Sequence, residues 1–198
     1  MILDALTSED VEQVRQWRNT MMEVWRTPYM LTKEMQKDFY WQNICNRNVN
    51  MRMWAIKIEV QGLDGAWNKC VSYDFIGMGG LENIQWENRN AEISLIIDPN
   101  LHGKGYGEEA VDMILKMGFN YLNLHSIYGE VYWCNEKGEN FWSKIVRKYD
   151  GFSTILPHRK FWNGRYYDST FFTITEEQYG EVHKVWDAPK QCEDAVAG

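Results

Sequence analysis

The stretch Ile97-Asp98-Pro99-Asn100-Leu101-His102-Gly103-Lys104-Gly105-Tyr106-Gly107-Glu108-Glu109-Ala110 decides how this chain is read. An apolar run from Ala91 to Asp98, with Ile93, Leu95, Ile96 and Ile97, has the pattern of a strand covered on both faces. It stops at Pro99, which supplies no donor to a strand ladder. Glycines follow at 103, 105 and 107, and a helical pattern begins at once through Ala110, Val111, Ile114, Leu115, Gly118 and Leu122. Glycine lets backbone N–H groups turn toward a ligand at close range. A helix start adds free N–H groups and the positive end of the helix dipole. Strand, glycine turn and helix start together make an anion site suited to a pyrophosphate. A turn of this kind also serves tight packing alone, so its spacing matters. It lacks the G-x-x-x-x-G-K-[ST] spacing of a phosphate loop and the third glycine position of a dinucleotide fingerprint.

Toward the N-terminus, Leu3 to Leu6 reads as a short strand. Thr7-Ser8-Glu9-Asp10 reads as a capping box, with Leu6 and Val11 placed as its hydrophobic staple. Val11, Val14, Trp17 and Met21 then recur at helical spacing, which predicts a helix to about Asn19. A loop from Trp25 to Leu31, with Pro28, precedes a helix that begins at Thr32 and shows Met35 and Phe39 on one face. Trp54, Ile56, Ile58 and Val60 alternate as a half-buried strand. The chain turns at Gly62 to Gly65 and returns from Val71 to Leu81. Beyond the glycine loop, Ser126 to Trp133 is a strand, and Asn135 caps a helix carrying Phe141, Trp142, Ile145 and Val146. Strands around Phe152–Leu156 and Tyr167–Ile174 follow, with Asn163-Gly164 as a hairpin turn between them. This order predicts a mixed α/β sheet with helices on both sides.

The 198 residues fit one domain, read as 1–180, with a C-terminal tail at 181–198 that looks disordered from about Asp187. A net charge of −7 argues against a sequence-independent nucleic-acid binder, which needs a basic surface. Cys45, Cys70, Cys134 and Cys192 are scattered without metal spacing, so no metal site is expected. Neither a signal peptide nor a membrane-length apolar run is evident, and a cytoplasmic protein is expected. A homodimer is one assembly expected of the chain.

The quoted stretch resembles the GNAT superfamily of acetyltransferases. Members carry a strand ending in aliphatic-x-Pro, then Q/R-x-x-G-x-G/A, then a helix; here these are Ile97-Asp98-Pro99 and His102-Gly103-Lys104-Gly105-Tyr106-Gly107. His102 departs from the usual Gln or Arg. Glu109-Ala110 is similar to the helix opening of the ribosomal-protein N-acetyltransferases. A second block agrees: Val131, Asn135, Gly138, Phe141-Trp142, Lys144 and Gly151-Phe152. Trp17-Arg18-Asn19 and Gly164, Asp168 and Thr175-Glu176-Glu177 resemble that subfamily and the nucleotide-aminosugar acetyltransferases.

The resemblance implies a mostly antiparallel sheet of about seven strands, splayed at an acetyl-CoA site and flanked by about four helices. It implies that the pyrophosphate sits on amides from Gly103 to Gly107, with His102, Lys104 and Tyr106 in the same loop. Backbone near Ile96 and Ile97 would hold the pantetheine and polarise the acetyl carbonyl, and Asn135 would reach the same arm. Trp17, Arg18 and Asn19 would line the acceptor site. Direct attack needs a neutral amine, so a base is required, and Glu92 and Glu130 are the candidates. Trp142 stands where many relatives have a Tyr acid. The acceptor expected is a nucleotide-linked aminosugar or another small amine; a protein N-terminus and a non-catalytic acyl-CoA module are the alternatives. Acetyl-CoA is expected to raise the melting temperature, stabilising the fold by about 2.7 kcal/mol at a hundredfold excess over Kd. An equal shift with adenosine, which lacks the pyrophosphate, would contradict the anion-loop reading.

Overall fold

The computed structural model describes residues 1–46, 48–63 and 69–183, with the side chains of 61–63 and 69–70 outside that description. The seven strands are β1 (Ile2–Asp4), β2 (Arg52–Leu63), β3 (Lys69–Gln85), β4 (Asn90–Ile97), β5 (Ser126–Tyr132), β6 (Phe152–Trp162) and β7 (Arg165–Thr175). They form one sheet in the order β1-β2-β3-β4-β5-β7-β6. Among the described residues only the β4–β5 pair is parallel.

The helices are α1 (Ser8–Thr20), α2 (Lys33–Phe39), α3 (Tyr106–Lys116), α4 (Glu136–Lys148) and α5 (Glu176–His183). Wider π-type turns extend α2 through Tyr40–Cys45 and α3 through Met117–Tyr121. Among the described residues no helix is long and apolar enough to cross a membrane.

The capping box forms as read. The Thr7 hydroxyl accepts from the Asp10 amide at 3.2 Å, and the Thr7 amide donates back to Asp10 Oδ2 at 2.9 Å. Leu6 and Val11 meet in one buried cluster with Val14, Ala55, Met78 and Ile96. Asn135 caps α4 by accepting from the Gly138 amide at 2.9 Å. Asn163 and Gly164 both take positive φ, 47° and 80°, as a two-residue hairpin turn between β6 and β7 demands.

Two expectations are corrected, the buried face of α2 and the extent of β6. On α2, Phe39 packs inward, but Gln36 is the buried residue and Met35 is 42% exposed. Thr32 caps this short helix and sets its phase, so Gln36, Phe39 and Tyr40 share the inner face. The described residues form five α-helices, in keeping with the about four expected. The fifth runs past residue 180 to His183 and buries Tyr179 against Phe119 and Tyr149, so packed structure continues into the stretch read as tail. Last, β6 continues well past Leu156 to Trp162. Residues 184–198 and the turn at 64–65 lie outside the described residues.

Alternation along β4 sorts the two faces of the sheet. Ala91 and Ile93 pack with Val111, Ile114, Leu115 and Ile145 under α3 and α4. Ile96 packs with the α1 cluster, so Glu92, two pairs of residues earlier, shares the α1 face. Thr7→Ala should cost about 1 kcal/mol by removing the cap. Thermal unfolding should then fall by about 2–4 °C, and an unchanged midpoint would contradict the capping account.

Candidate active site

Only three residue pairs join β4 to β5: Asn90 with Ser126, Ala91 with Ile127, and Glu92 with Tyr128. Beyond them β4 stays with β3 as far as Ile97 opposite Gly77, and β5 stays with β7 as far as Tyr132 opposite Ser169. The two strands therefore part after Glu92 and Tyr128. Main-chain groups of Ile93 to Ile97 that turn toward β5 have no ladder partner there. Such an edge is a template for an extended ligand, because buried backbone polar groups require partners.

The glycine loop stands at the end of this fork. His102 Nε2 lies 3.0 Å from the Ile97 carbonyl oxygen, so its N–H donates and ties the loop back to the strand end. Gly103 and Gly105 have φ of 78° and 87°, in the left-handed region that favours glycine. A Cβ at either would meet no atom within 4 Å, so the space over the loop is open to a ligand. The Gly105 carbonyl accepts from the Glu108 and Glu109 amides at 3.1 and 3.2 Å and starts α3 at Tyr106. Lys104 is exposed. Gly107 has a different reason: a Cβ there would stand 3.1 Å from the Phe141 ring of α4.

The sheet face under α1 carries the charge. Glu92 is 6% exposed and accepts two hydrogen bonds from the half-exposed guanidinium of Arg26 and one from Asn83 Nδ2 at 2.9 Å. Glu130 accepts from Arg159 Nε at 3.0 Å and from Ser169 Oγ at 2.6 Å. Burial pushes the Glu130 carboxyl up, but those two bonds together with the charges of Arg159 and Arg26 outweigh it and hold the group below the ordinary range. Glu82 lies opposite Glu92 in the β3–β4 register. Burial, with the charge of Glu92 added, pushes its carboxyl up. Burial likewise raises the Tyr128 phenol, which therefore stays protonated and able to donate at neutral pH.

Of the expected acceptor trio, Arg18 alone reaches this set. Its guanidinium lies 5.4 Å from the centre of the Trp25 ring and donates to Thr27 Oγ1 at 3.1 Å, and burial lowers its pKa. Trp17 lies flat on Phe75, with ring centres 5.7 Å apart, inside the α1 cluster. Asn19 exchanges two hydrogen bonds with the Leu31 backbone, at 2.9 and 2.8 Å, and so anchors the loop that carries Arg26. Lys160 donates to the Trp25 carbonyl from the other side. Trp142 stacks on Phe172 at 4.8 Å between ring centres and has no phenolic proton to give. Sequence reasoning missed Arg26, Asn83, Tyr128 and Glu82. The one available signal was Glu82, a charge that continues the return strand one residue past Leu81.

A mixed sheet parted at a parallel pair, with a glycine loop and a helix start at the end of the parting, is the framework expected of an acyl-transfer α/β domain. Residues 1–145 match the model of the acetyltransferase (GNAT) domain, and the chain belongs to that family. It is an acetyl-CoA-dependent N-acetyltransferase. It is 29% identical over 185 residues to the spermidine N(1)-acetyltransferase of Escherichia coli strain K12, covering 92% of this chain and 89% of that one. The Vibrio cholerae spermidine N(1)-acetyltransferase is 32% identical over 106 residues, 54% of this chain and 60% of the relative. A crystal structure of the spermidine N-acetyltransferase from Vibrio cholerae, in complex with CoA and spermine, superposes with a TM-score of 0.70. It is 26% identical and covers 90% of this chain and 96% of the other.

Proposed function

We propose that this enzyme moves the acetyl group of acetyl-CoA onto a primary amine of a small, multiply cationic acceptor of the polyamine class. The observation that carries the reading is the fork: open backbone on β4, an open glycine loop at its end, and buried carboxylates on the face opposite the loop helix. The full-length likeness to spermidine acetyltransferases supports the choice of acceptor. It turns the expectation away from a nucleotide-linked aminosugar.

In this reading the pyrophosphate rests on amides from Gly103 to Gly107, where the left-handed glycines leave room and the start of α3 adds its dipole. His102 contributes by pinning the loop to Ile97, with its ring N–H already engaged. Lys104 is the one loop side chain free to swing toward a phosphate, and Tyr106 starts the helix. The pantetheine arm runs along the unpaired edge of β4 at Ile96 and Ile97, and backbone N–H groups there stabilise the oxyanion as the amine attacks. Asn135 closes the opposite wall as the cap of α4.

The acceptor enters on the α1 face. Glu92, Glu130 and Glu82 give that face the negative charge a polyamine needs, and Arg18 with Arg26 limit it. Trp17 and Asn19 serve acceptor binding indirectly, by fixing α1 and the following loop.

The test is CoA release from acetyl-CoA with spermine, spermidine, putrescine, a nucleotide-linked aminosugar and a peptide with a free N-terminus. Polyamines are expected to give the highest kcat/KM, with the value falling as salt screens the attraction. Turnover of the aminosugar or the peptide, with polyamines idle, would overturn the reading.

A further inference from the structure

The three carboxylates of the α1 face beside the fork are not equivalent. Glu92 is taken up by Arg26 and Asn83, and Glu130 by Arg159 and Ser169. To accept a proton, either would have to give up a guanidinium partner. The Glu82 side chain makes no hydrogen bond or ion pair among the described residues, although it is only partly exposed. Directly opposed residues of an antiparallel pair project from the same face, so Glu82 stands beside Glu92 at the mouth of the fork.

The charged and titratable groups facing Glu82 come from every packed element. They are Arg18 on α1, Arg26 on the loop after it, Glu92 on β4 and the phenol of Tyr128 on β5. Burial is the largest influence on its carboxyl, Glu92 acts in the same direction, and the two arginines only partly offset them. A carboxylate raised in this way is a better proton acceptor near neutral pH than one held down by a salt bridge.

We propose that Glu82, in place of Glu92 or Glu130, takes the proton from the acceptor ammonium. This rests on the reading of the fork as the site of acetyl transfer to an amine. The ammonium gives one proton to the Glu82 carboxylate, leaving a free amine and a carboxylic acid. The amine nitrogen then attacks the thioester carbonyl, the new C–N bond forms, and the C–S bond breaks. The nitrogen loses its second proton as the amide forms, and the departing CoA thiolate takes up one proton. Glu92 keeps its pair with Arg26 throughout and orients the acceptor by charge.

Glu82→Gln tests this, with kcat measured against pH on whichever amine the wild-type enzyme turns over fastest. The expected result is a roughly 10²- to 10⁴-fold loss of kcat near neutral pH, with the KM for acetyl-CoA unchanged. The loss should shrink as pH rises toward the pKa of the amine itself, whereas structural damage would lower kcat at every pH. Glu92→Gln and Glu130→Gln should instead raise the KM for the acceptor. An unchanged pH profile in Glu82→Gln overturns the proposal, and so does the pH-dependent loss appearing in Glu92→Gln alone. A wild-type enzyme idle with every amine would instead sink the acetyl-transfer reading. A second measurement needs no turnover. In protein carrying ¹³C-labelled glutamate, the carboxyl signal missing from Glu82→Gln should titrate above the ordinary carboxylate range. A midpoint inside or below that range would also overturn the proposal.

Discussion

The three-residue parallel join between β4 and β5 is the constraint on which the rest of the molecule depends. It holds the half built from β1 to β4 to the half built from β5 to β7, and it ends at Glu92 and Tyr128. Had the ladder continued to Ile97, the β4 edge would be satisfied and closed. Because it stops, main-chain groups of one central strand remain available beside a glycine loop and a helix start. The same join fixes the opposite face, since Glu92 lies in the last joined pair and Glu82 is registered against it. Fold and proposed chemistry therefore meet at one row of residues.

Charge on that row is managed by the segment between α1 and α2. Its anchors come from three directions: Asn19 and Arg15 hold the Leu31 backbone, Lys160 holds the Trp25 carbonyl, and the Cys134 thiol donates to the Glu23 carbonyl. Arg26 is thereby delivered onto Glu92 across 66 residues of sequence. Burying Glu92 without a cation would be costly, and removing one partner from such a pair exposes that cost. In the proposed acceptor path, an ammonium would meet Glu92 and Glu130 already paired with arginines and Glu82 without such a pair.

Much of this was legible in the chain itself, where the physics is local. The capping box at Thr7, the Asn135 cap, the Asn163-Gly164 turn and the strand–glycine–helix sequence at 97–110 each depend on a few adjacent residues. Their reading survives in the structure. What the sequence hid depends on register and long-range pairing. No local pattern places Glu82 opposite Glu92, ties Arg26 to Glu92, or gives Glu130 to Arg159 and Ser169. Trp17-Arg18-Asn19 reads as one motif, yet helix geometry sends its three side chains to a stacking partner, a charged face and a backbone clamp. The short helix α5 was missed because eight residues carry little periodicity, and its one buried residue, Tyr179, is fixed by tertiary contacts.

The central claim is that the open fork and its glycine loop hold the pyrophosphate arm of CoA. Calorimetric titration of CoA into Gly105→Val tests it most directly, with circular dichroism confirming the fold. Valine strongly disfavours the left-handed φ of 87° and would fill the open space above the loop. The account predicts a folded protein that no longer binds CoA. A folded Gly105→Val protein with wild-type CoA affinity would contradict it.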